Sequence, residues 1–578
     1  MKIYFFFRAL LLSLATLFVS HLFAQDWIKM MQDQSANFFE TQKTFYRYSD
    51  NYKADYRRVT GKEPLRVPGY KQFKRWEYFM LPRISQTGER FAPDAVWNEM
   101  KKYNEQNKTL TTNGNWSFIG PSSIPSGGGG AGRVNFVRFH PTVPTTVYVG
   151  SPSGGLWKST DGGLSWSTNT DRLSQVIGCT DIAFDPVNPN IMYLATGDGD
   201  AGDTYSVGLL KSTDGGNTWN TTGLSFAVTN YCKIHKILIN PSSVNIIIVA
   251  TTQGIYRSLD AGVTFTQVQG GSFKDMEFKP GDPNTIYACG SSFYKSTDGG
   301  ATWTQITSGL PASANVWRCA IAVSAANSTM VYVLAASASD YGFYGLYKSI
   351  DNGTNFSQVT VSSPSNILGW APDGSDAGGQ GWYDLAIAAS PTNADEIVAG
   401  GINIWRSTNG GSSFSLNAQW YGGGAPYVHA DIHDLVYTSG TTIYAGCDGG
   451  LFKTVNSGAS WSDLSSGLQI AQMYGFAQSA TNPNLLIQGW QDNGTNLYNG
   501  SWTQVLGGDG MQTFISWNSD NNMWGSMYYG YLYKSTNGGT SWNYADGGIT
   551  ETGGWITHWQ EDPVTANTLY ACFANVWK

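Results

Sequence analysis

"STDGGLSW" (159–166), "STDGGNTW" (212–219) and "STDGGATW" (296–303) are near-copies of one octapeptide, and "SLDAGVTF" (258–265) and "SIDNGTNF" (349–356) keep its frame. Three looser copies follow: "STNGGSSF" (407–414), "TVNSGASW" (454–461) and "STNGGTSW" (535–542). Successive copies start 53, 46, 38, 53, 58, 47 and 81 residues apart, the last interval spanning a degenerate copy near Trp502. A period of roughly 40 to 50 residues is that of a four-stranded propeller blade. In each unit a strand such as "DIAFDP" (181–186) turns through Pro and Asn into "IMYLATG" (191–197). A third such as "GLLKS" (208–212) enters the octapeptide, and a fourth leaves it. The octapeptide therefore fills the turn between strands three and four. Its Asp or Asn can accept hydrogen bonds from turn amides, its Gly takes a positive φ, and its final aromatic packs between blades.

First strands begin near residues 133, 180, 234, 274, 317, 383, 429, 473, 511 and 555, which predicts nine complete blades and the start of a tenth. The last unit stops at "ANVWK" (574–578), where a tenth octapeptide is expected, as in a fragment of a longer protein. One ten-bladed ring and a seven-bladed ring followed by an incomplete second ring both fit this count.

Composition agrees with an all-β chain. Of 578 residues only 13% are charged while 14% are aromatic and 68 are Gly, against roughly 25% charged in ordinary soluble domains. Disorder needs high charge and few aromatics, so it is excluded. A net charge of −7 argues against nucleic acid as a partner, because that role requires neutralising phosphates. The six Cys show no CxxC spacing of the zinc or redox kind, and five (Cys179, Cys232, Cys289, Cys319, Cys572) lie in apolar β-like runs as small hydrophobes.

Lys2 and Arg8 flank an apolar stretch, 9–19, that ends at Ala24. This predicts a secretory signal peptide over 1–24. No later run is long and apolar enough to predict a transmembrane segment, so the mature chain is expected to be secreted or held at the cell surface. Residues 25–110 are rich in Lys, Arg, Glu and Gln, with helical spacing of Trp27, Met30, Met31 and Phe38 and a helix start at Pro93-Asp94. They predict a small helical segment ahead of the propeller, residues 111–578, with "GYKQFKRWEYF" (69–79) as a packing strap.

The repeat resembles the Asp-box, or BNR, repeat of sialidases, tandem-propeller xyloglucanases and sortilin-type receptor ectodomains. The resemblance covers about 116–578 and implies a β-propeller in which the boxes are peripheral structural turns.

Propeller strands alternate in direction, so octapeptides share one face with the turns between strands one and two. The opposite face carries the two-to-three connections and the starts of the first strands. Long loops there are where binding or catalysis is usually built. "TGDGDAGDTYSVG" (196–208), "ASASDYGFY" (336–344) and "ILGWAPDGSDAGGQGWYD" (367–384) belong to that face. Asp198, Asp200 and Asp203, with Gly between them, have spacing that lets a loop wrap calcium. In "YVHADIHDLVY" (427–437), side chains two apart share a strand face, so His429, Asp431 and His433 are expected to project together. Such a set suits zinc, or a hydrogen-bonded channel lining. Asp434 is read as part of the repeat, together with Asp181, Asp275 and Asp384.

"CDGGLF" (447–452), "QDNGT" (491–495) and "GGDGM" (507–511) add Asp448, Gln491, Asp492, Asn493 and Asp509 to this rim, and Trp382 and Tyr383 offer aromatic surfaces. The combination of "HADIHD", "QDNG" and "GGDG" resembles bacterial secreted sortilin-like propellers, glycosyl-hydrolase-like BNR proteins. That resemblance implies a module binding an extracellular protein, peptide or polysaccharide. The alternative is a glycoside hydrolase, which needs two carboxylates across a cleft. Here "LRVP" (65–68) is the one approximation to the Arg-Ile-Pro motif of sialidases, and it lies outside the propeller. "GGGGAGRVNFVRFHPTVPTTVYVGSPSGGLWKS" (127–159) resembles the opening blade of the xyloglucanases, yet Pro152 stands where they place a catalytic Asp.

Overall fold

The structure, a computed structural model, describes residues 26–64, 67–106, 117–171, 178–359 and 364–578. The expected signal peptide lies outside the described residues. Among the described residues, nine antiparallel sheets have four strands and one has three, and in each the strands neighbour one another in chain order. Second strands such as Val147–Ser151, Met192–Thr196 and Ile247–Thr251 are buried along their whole length. Blades cover both of their faces, so these strands read as continuous apolar runs without alternation.

Seven blades, at 136–168, 179–225, 234–270, 275–306, 316–359, 386–418 and 432–463, touch through their first strands in chain order. The first strand of the seventh, Ile432–Tyr437, also packs on that of the first, Phe136–Phe139. The ring is therefore closed at seven, and a single ten-bladed ring is ruled out. Its seam is apolar: Val134, Val137, Val149 and Trp157 share a core with Tyr444, Leu451 and Ile470. Burying each such side chain contributes roughly 1.5–3 kcal/mol. The blades at 473–506 and 513–544 follow and pack on each other through their first strands.

Acidic side chains on first strands link neighbouring blades. Asp181 Oδ2 accepts the Ile237 N–H (2.9 Å), Asp275 Oδ2 that of Ile321 (2.8 Å) and Asp434 Oδ2 that of Val137 (2.9 Å). Arg138 spans Asp181 (2.9 Å) and Asp434 (2.5 Å) across the seam. Asp384, expected to belong to this set, does not. It precedes its strand, Ala386–Ala389, and neither of its carboxylate oxygens has a hydrogen-bond partner among the described residues.

The octapeptides form the turns expected of them. Ser159 Oγ donates to Asp161 Oδ1 (2.7 Å) and accepts from Gly163 N (2.8 Å), while Asp161 Oδ1 accepts from Ser165 N (2.9 Å). The turn needs two successive positive φ angles. Gly163 (97°) is preceded by Gly162 (80°), and Ala261, Asn352 and Ser457 tolerate the first position in other copies at 55–61°. Trp166 Nε1 donates to Leu464 O (2.8 Å), joining the first blade to the seventh.

By contacts the chain divides into two units, one comprising 111–526 and 533–543, the other 1–110, 527–532 and 544–578. The second holds helices α1 (Asp26–Gln32), α2 (Phe38–Thr60), α3 (Tyr70–Met80) and α4 (Ala95–Gln106) together with the three-stranded sheet at 558–577. The Asn37 side chain caps α2 by accepting from Phe39 N and Glu40 N, and left-handed Gly61 ends it. Phe45 and Phe73 stack at 3.7 Å beneath Trp27. On α3, Tyr70 meets Tyr529 edge-on and Arg75 lies over Trp555 (5.1 Å). No described helix is long and apolar enough to cross a membrane.

Candidate functional site at the mouth of the ring

The channel of the seven-bladed ring is a cavity of about 630 Å³ whose lining includes Arg138, Asp200, His235, Lys274, Arg318 and His433. Burial pulls Lys274 down, with help from nearby Arg318, to about 7, and burial together with Lys274 keeps His235 neutral.

At its mouth, connections from several blades converge on one buried network. Arg133, 1% exposed, pairs with Asp198 (2.7 Å) and donates to the Tyr383 hydroxyl (3.0 Å). Tyr383 in turn donates to Asp448 Oδ2 (2.7 Å). His433 lies between Asp200 (2.9 Å to Nδ1) and Asp448 (2.9 Å to Nε2), and Arg318 pairs with Asp200 (2.9 Å). Burial disfavours charge on His433, but the two flanking carboxylates outweigh it and hold the ring up at about 9. Burial likewise pushes Asp200 up, and Arg318 with His433 overcomes this to leave it well below the carboxylate range.

Beside this network stands an acidic group. Carboxylate oxygens of Asp431, Asp448 and Asp492 lie within 4.8 Å of one another. Gln380 donates to Asp431 (2.9 Å), Asp509 accepts the Asp492 N–H (3.1 Å), and Gln491 links Tyr474 (2.7 Å) to Asp492 (3.2 Å). Asp492 is half-buried, while Asp431, Asp448, Asn493 and Asp509 are buried. Asp384 is fully buried, and burial with the charges of Asp431 and Asp448 raises its carboxyl well above the usual range.

Two expected ligand sets do not assemble. Asp198, Asp200 and Asp203 diverge: Asp198 turns to Arg133, Asp200 to Arg318 and His433, and Asp203 to Arg133 (3.7 Å) and Gln472 (3.3 Å). They do not wrap one calcium ion, because protein cations take up their oxygens. His429, Asp431 and His433 do not share a strand face either. Asp431 has a left-handed backbone (φ 67°), the strand begins only at Ile432, and His429 Nε2 faces the carbonyl of Asp492 (3.2 Å). No zinc set forms from them. Among the expected ligand-binding residues, Tyr383, Asp492 and Asn493 meet at Asp448, whose carbonyl accepts from Asn493 Nδ2 (3.1 Å), and Gln491 and Asp509 bond to Asp492. Trp382 is half-buried against the Tyr383 ring (5.2 Å).

Sequence reading missed Arg133, Arg318 and the singular position of Asp384. The available signal was charge in a chain with 13% charged residues: Arg133 lies three residues ahead of its first strand, Phe136–Phe139, and Arg318 near the start of Val316–Ser324.

The fold is a β-propeller similar to that of a GH74 enzyme of known structure. The chain is 30% identical over 171 residues to the xyloglucanase Xgh74A of Acetivibrio thermocellus, covering 28% of this chain and 20% of that one. It is 29% identical over 153 residues to a xyloglucanase of Hypocrea jecorina, covering 24% and 18%. These matches span about a fifth of the length of the curated relatives. Among solved structures, an ancestral GH74 enzyme superposes with a TM-score of 0.57 at 17% identity over 78% of this chain and 68% of that one, a likeness of fold. No family model matches the chain.

Proposed function

We propose that this chain is a secreted glycoside hydrolase acting on a polysaccharide of the xyloglucan class at the mouth of its seven-bladed ring. The observation that carries this reading is the gathering of Asp431, Asp448 and Asp492 on one site, with Asp492 the member that reaches solvent, in a chain whose relatives are xyloglucanases. Hydrolysis of a glycosidic bond needs two carboxyl groups, one protonating the leaving oxygen and one acting as nucleophile or base. We assign these roles to Asp492 and to Asp509, which holds the Asp492 backbone in place. Half-buried Trp382 supplies an aromatic face for a sugar ring. The test is reducing-sugar release from xyloglucan by the purified chain. Asp492→Asn is expected to lower it at least a hundredfold with an unchanged melting temperature, and release unaffected by Asp492→Asn and Asp509→Asn would refute the assignment.

One observation favours binding without turnover, the sortilin-like reading of the sequence. Pro152 is buried, and its carbonyl accepts from Thr204 in the 196–208 loop (3.0 Å), so the acid that the xyloglucanase resemblance implies there is missing. Retention of xyloglucan oligosaccharides on the immobilised chain, with no sugar released over days, would establish that reading instead.

A further inference from the structure

Carboxylate oxygens of Asp431, Asp448 and Asp492 approach one another to within 4.8 Å. Calcium binds oxygens at about 2.3–2.6 Å, so ligands on opposite sides of one ion stand roughly 5 Å apart and three such atoms can share it. An independent observation comes from Asp384. It is fully buried, both of its oxygens lack a hydrogen-bond partner, and the charges acting on it most strongly are those of Asp431 and Asp448. A buried carboxylate without a donor is costly, and a cation at the acidic group relieves that cost. Of the cations buried nearby, Arg133 pairs with Asp198 and Asp203 and Arg318 with Asp200, while His433 bridges Asp200 and Asp448 and so reaches one member of the acidic group.

We infer that Asp431, Asp448 and Asp492, backed by Asp384, bind one divalent cation of the calcium class. The donors are all carboxylate oxygens, which suit calcium over zinc, and the imidazoles that zinc would prefer face other partners. Asp448, bonded by Tyr383 and His433, offers its remaining lone pairs. The three ligands come from the approach to the seventh blade, its two-to-three turn and the matching turn of the blade at 473–506, and Asp384 lies on the approach to the sixth. The ion therefore fastens the "QDNG" turn to the ring. Asp492 is shared with the proposed catalytic pair, so the inference rests on the same site, but ion binding does not require turnover.

The experiment is calorimetric titration of the chelator-stripped, dialysed full chain with calcium alone, alongside thermal unfolding. We expect one ion per chain, a raised unfolding midpoint and at least tenfold weaker binding of magnesium, whose smaller octahedral shell fits the group poorly. Asp431→Asn and Asp384→Asn should each weaken calcium binding tenfold or more, whereas Asp161→Asn in a peripheral turn should leave it unchanged. Circular dichroism verifies folding; if Asp384→Asn does not fold, Asp431→Asn decides. No calcium uptake at millimolar concentration by the folded chain, affinity unchanged in the folded variants, or magnesium bound as tightly would overturn the inference. Uptake is read without substrate, so absent sugar release with intact calcium binding would refute hydrolysis and leave this inference standing.

Discussion

The octapeptide turns on the rim and the polar network at the mouth are both built from Asp, Ser, Gly and aromatic residues, yet they obey different rules. In a rim turn the partners are two to four residues apart: Ser159 with Asp161, Asp161 with Ser165. At the mouth they are hundreds apart, with Arg133 bonded to Tyr383 and His433 to Asp200. A rim turn satisfies its own polar groups wherever the chain forms a hairpin. The mouth exists only once the ring has closed and brought single, unrepeated residues together.

The sharpest way to break this comparison is to remove a buried cation. Arg133→Met leaves buried Asp198 without its ion-pair partner, and breaking a buried pair from one side costs about 3–5 kcal/mol. Urea denaturation reads this directly, and a loss below about 1 kcal/mol would mean that the mouth is as locally self-sufficient as the rim.

Lys274 tests the same point with the opposite sign. Burial and then Arg318 hold it at about 7, below the ordinary 10.5 of lysine. As pH falls from about 10.5 toward 7, the unfolded chain takes up this proton before the folded one. Stability therefore declines over that window, with the full penalty below 7. Lys274→Met should stabilise the chain by about 2–3 kcal/mol at pH 6, the gain fading toward pH 10.5 in melts across pH. A gain independent of pH would show that Lys274 is not buried as a charge.

Between rim and mouth lie the acids that join blades. Asp434→Ala removes the acceptor of Val137 N and one partner of Arg138 at the ring seam, an expected cost of about 2 kcal/mol. Asp275→Ala, acting between blades already adjacent in sequence, should cost about the same if the ring is one cooperative body and clearly less if the seam is its weak point.

This contrast also explains what could be read from the chain. The blades were legible because each octapeptide carries its own Gly at positive φ and its own hydrogen-bonded Asp or Asn, so eight copies repeat one physical solution. The count of seven was not, because closure is decided by Phe136–Phe139 meeting Ile432–Tyr437, a pairing no local pattern announces. At the mouth, the residues of "QDNG" and "GGDG" were found as Asp-rich turns, but their partners were not. The expected metal sets failed because spacing says which side chains are near in sequence, whereas Arg133, Arg318 and the left-handed Asp431 decide where carboxylates point. Asp384 shows the limit most plainly: it looked like one more copy of Asp181 and Asp275, and two residues of displacement made it the one with no donor.

Rim turns offer the smallest effects and the finest test. Ser159→Ala removes one donor and one acceptor within a turn and should cost about 1 kcal/mol, adding to the same change at Ser296 because distant sites act independently. A subtler difference lies inside the repeat itself. Asp214 accepts from Thr218 N and Thr218 Oγ1, and these bonds, the hydroxyl first, hold it down at about 2. Asn409 occupies the same place but donates its amide to Ser413 Oγ (2.9 Å). A depressed carboxyl stabilises the fold above its ordinary range near 4, and that contribution disappears as pH falls through about 2. Melts from pH 5 to pH 2 should therefore show Asp214→Asn and the parent chain converging on acidification, and Asn409→Asp should gain an acid-sensitive increment that the parent lacks. Equal acid sensitivity in all three would mean that the turn reads only shape, and that Asp and Asn alternate along the rim without electrostatic consequence.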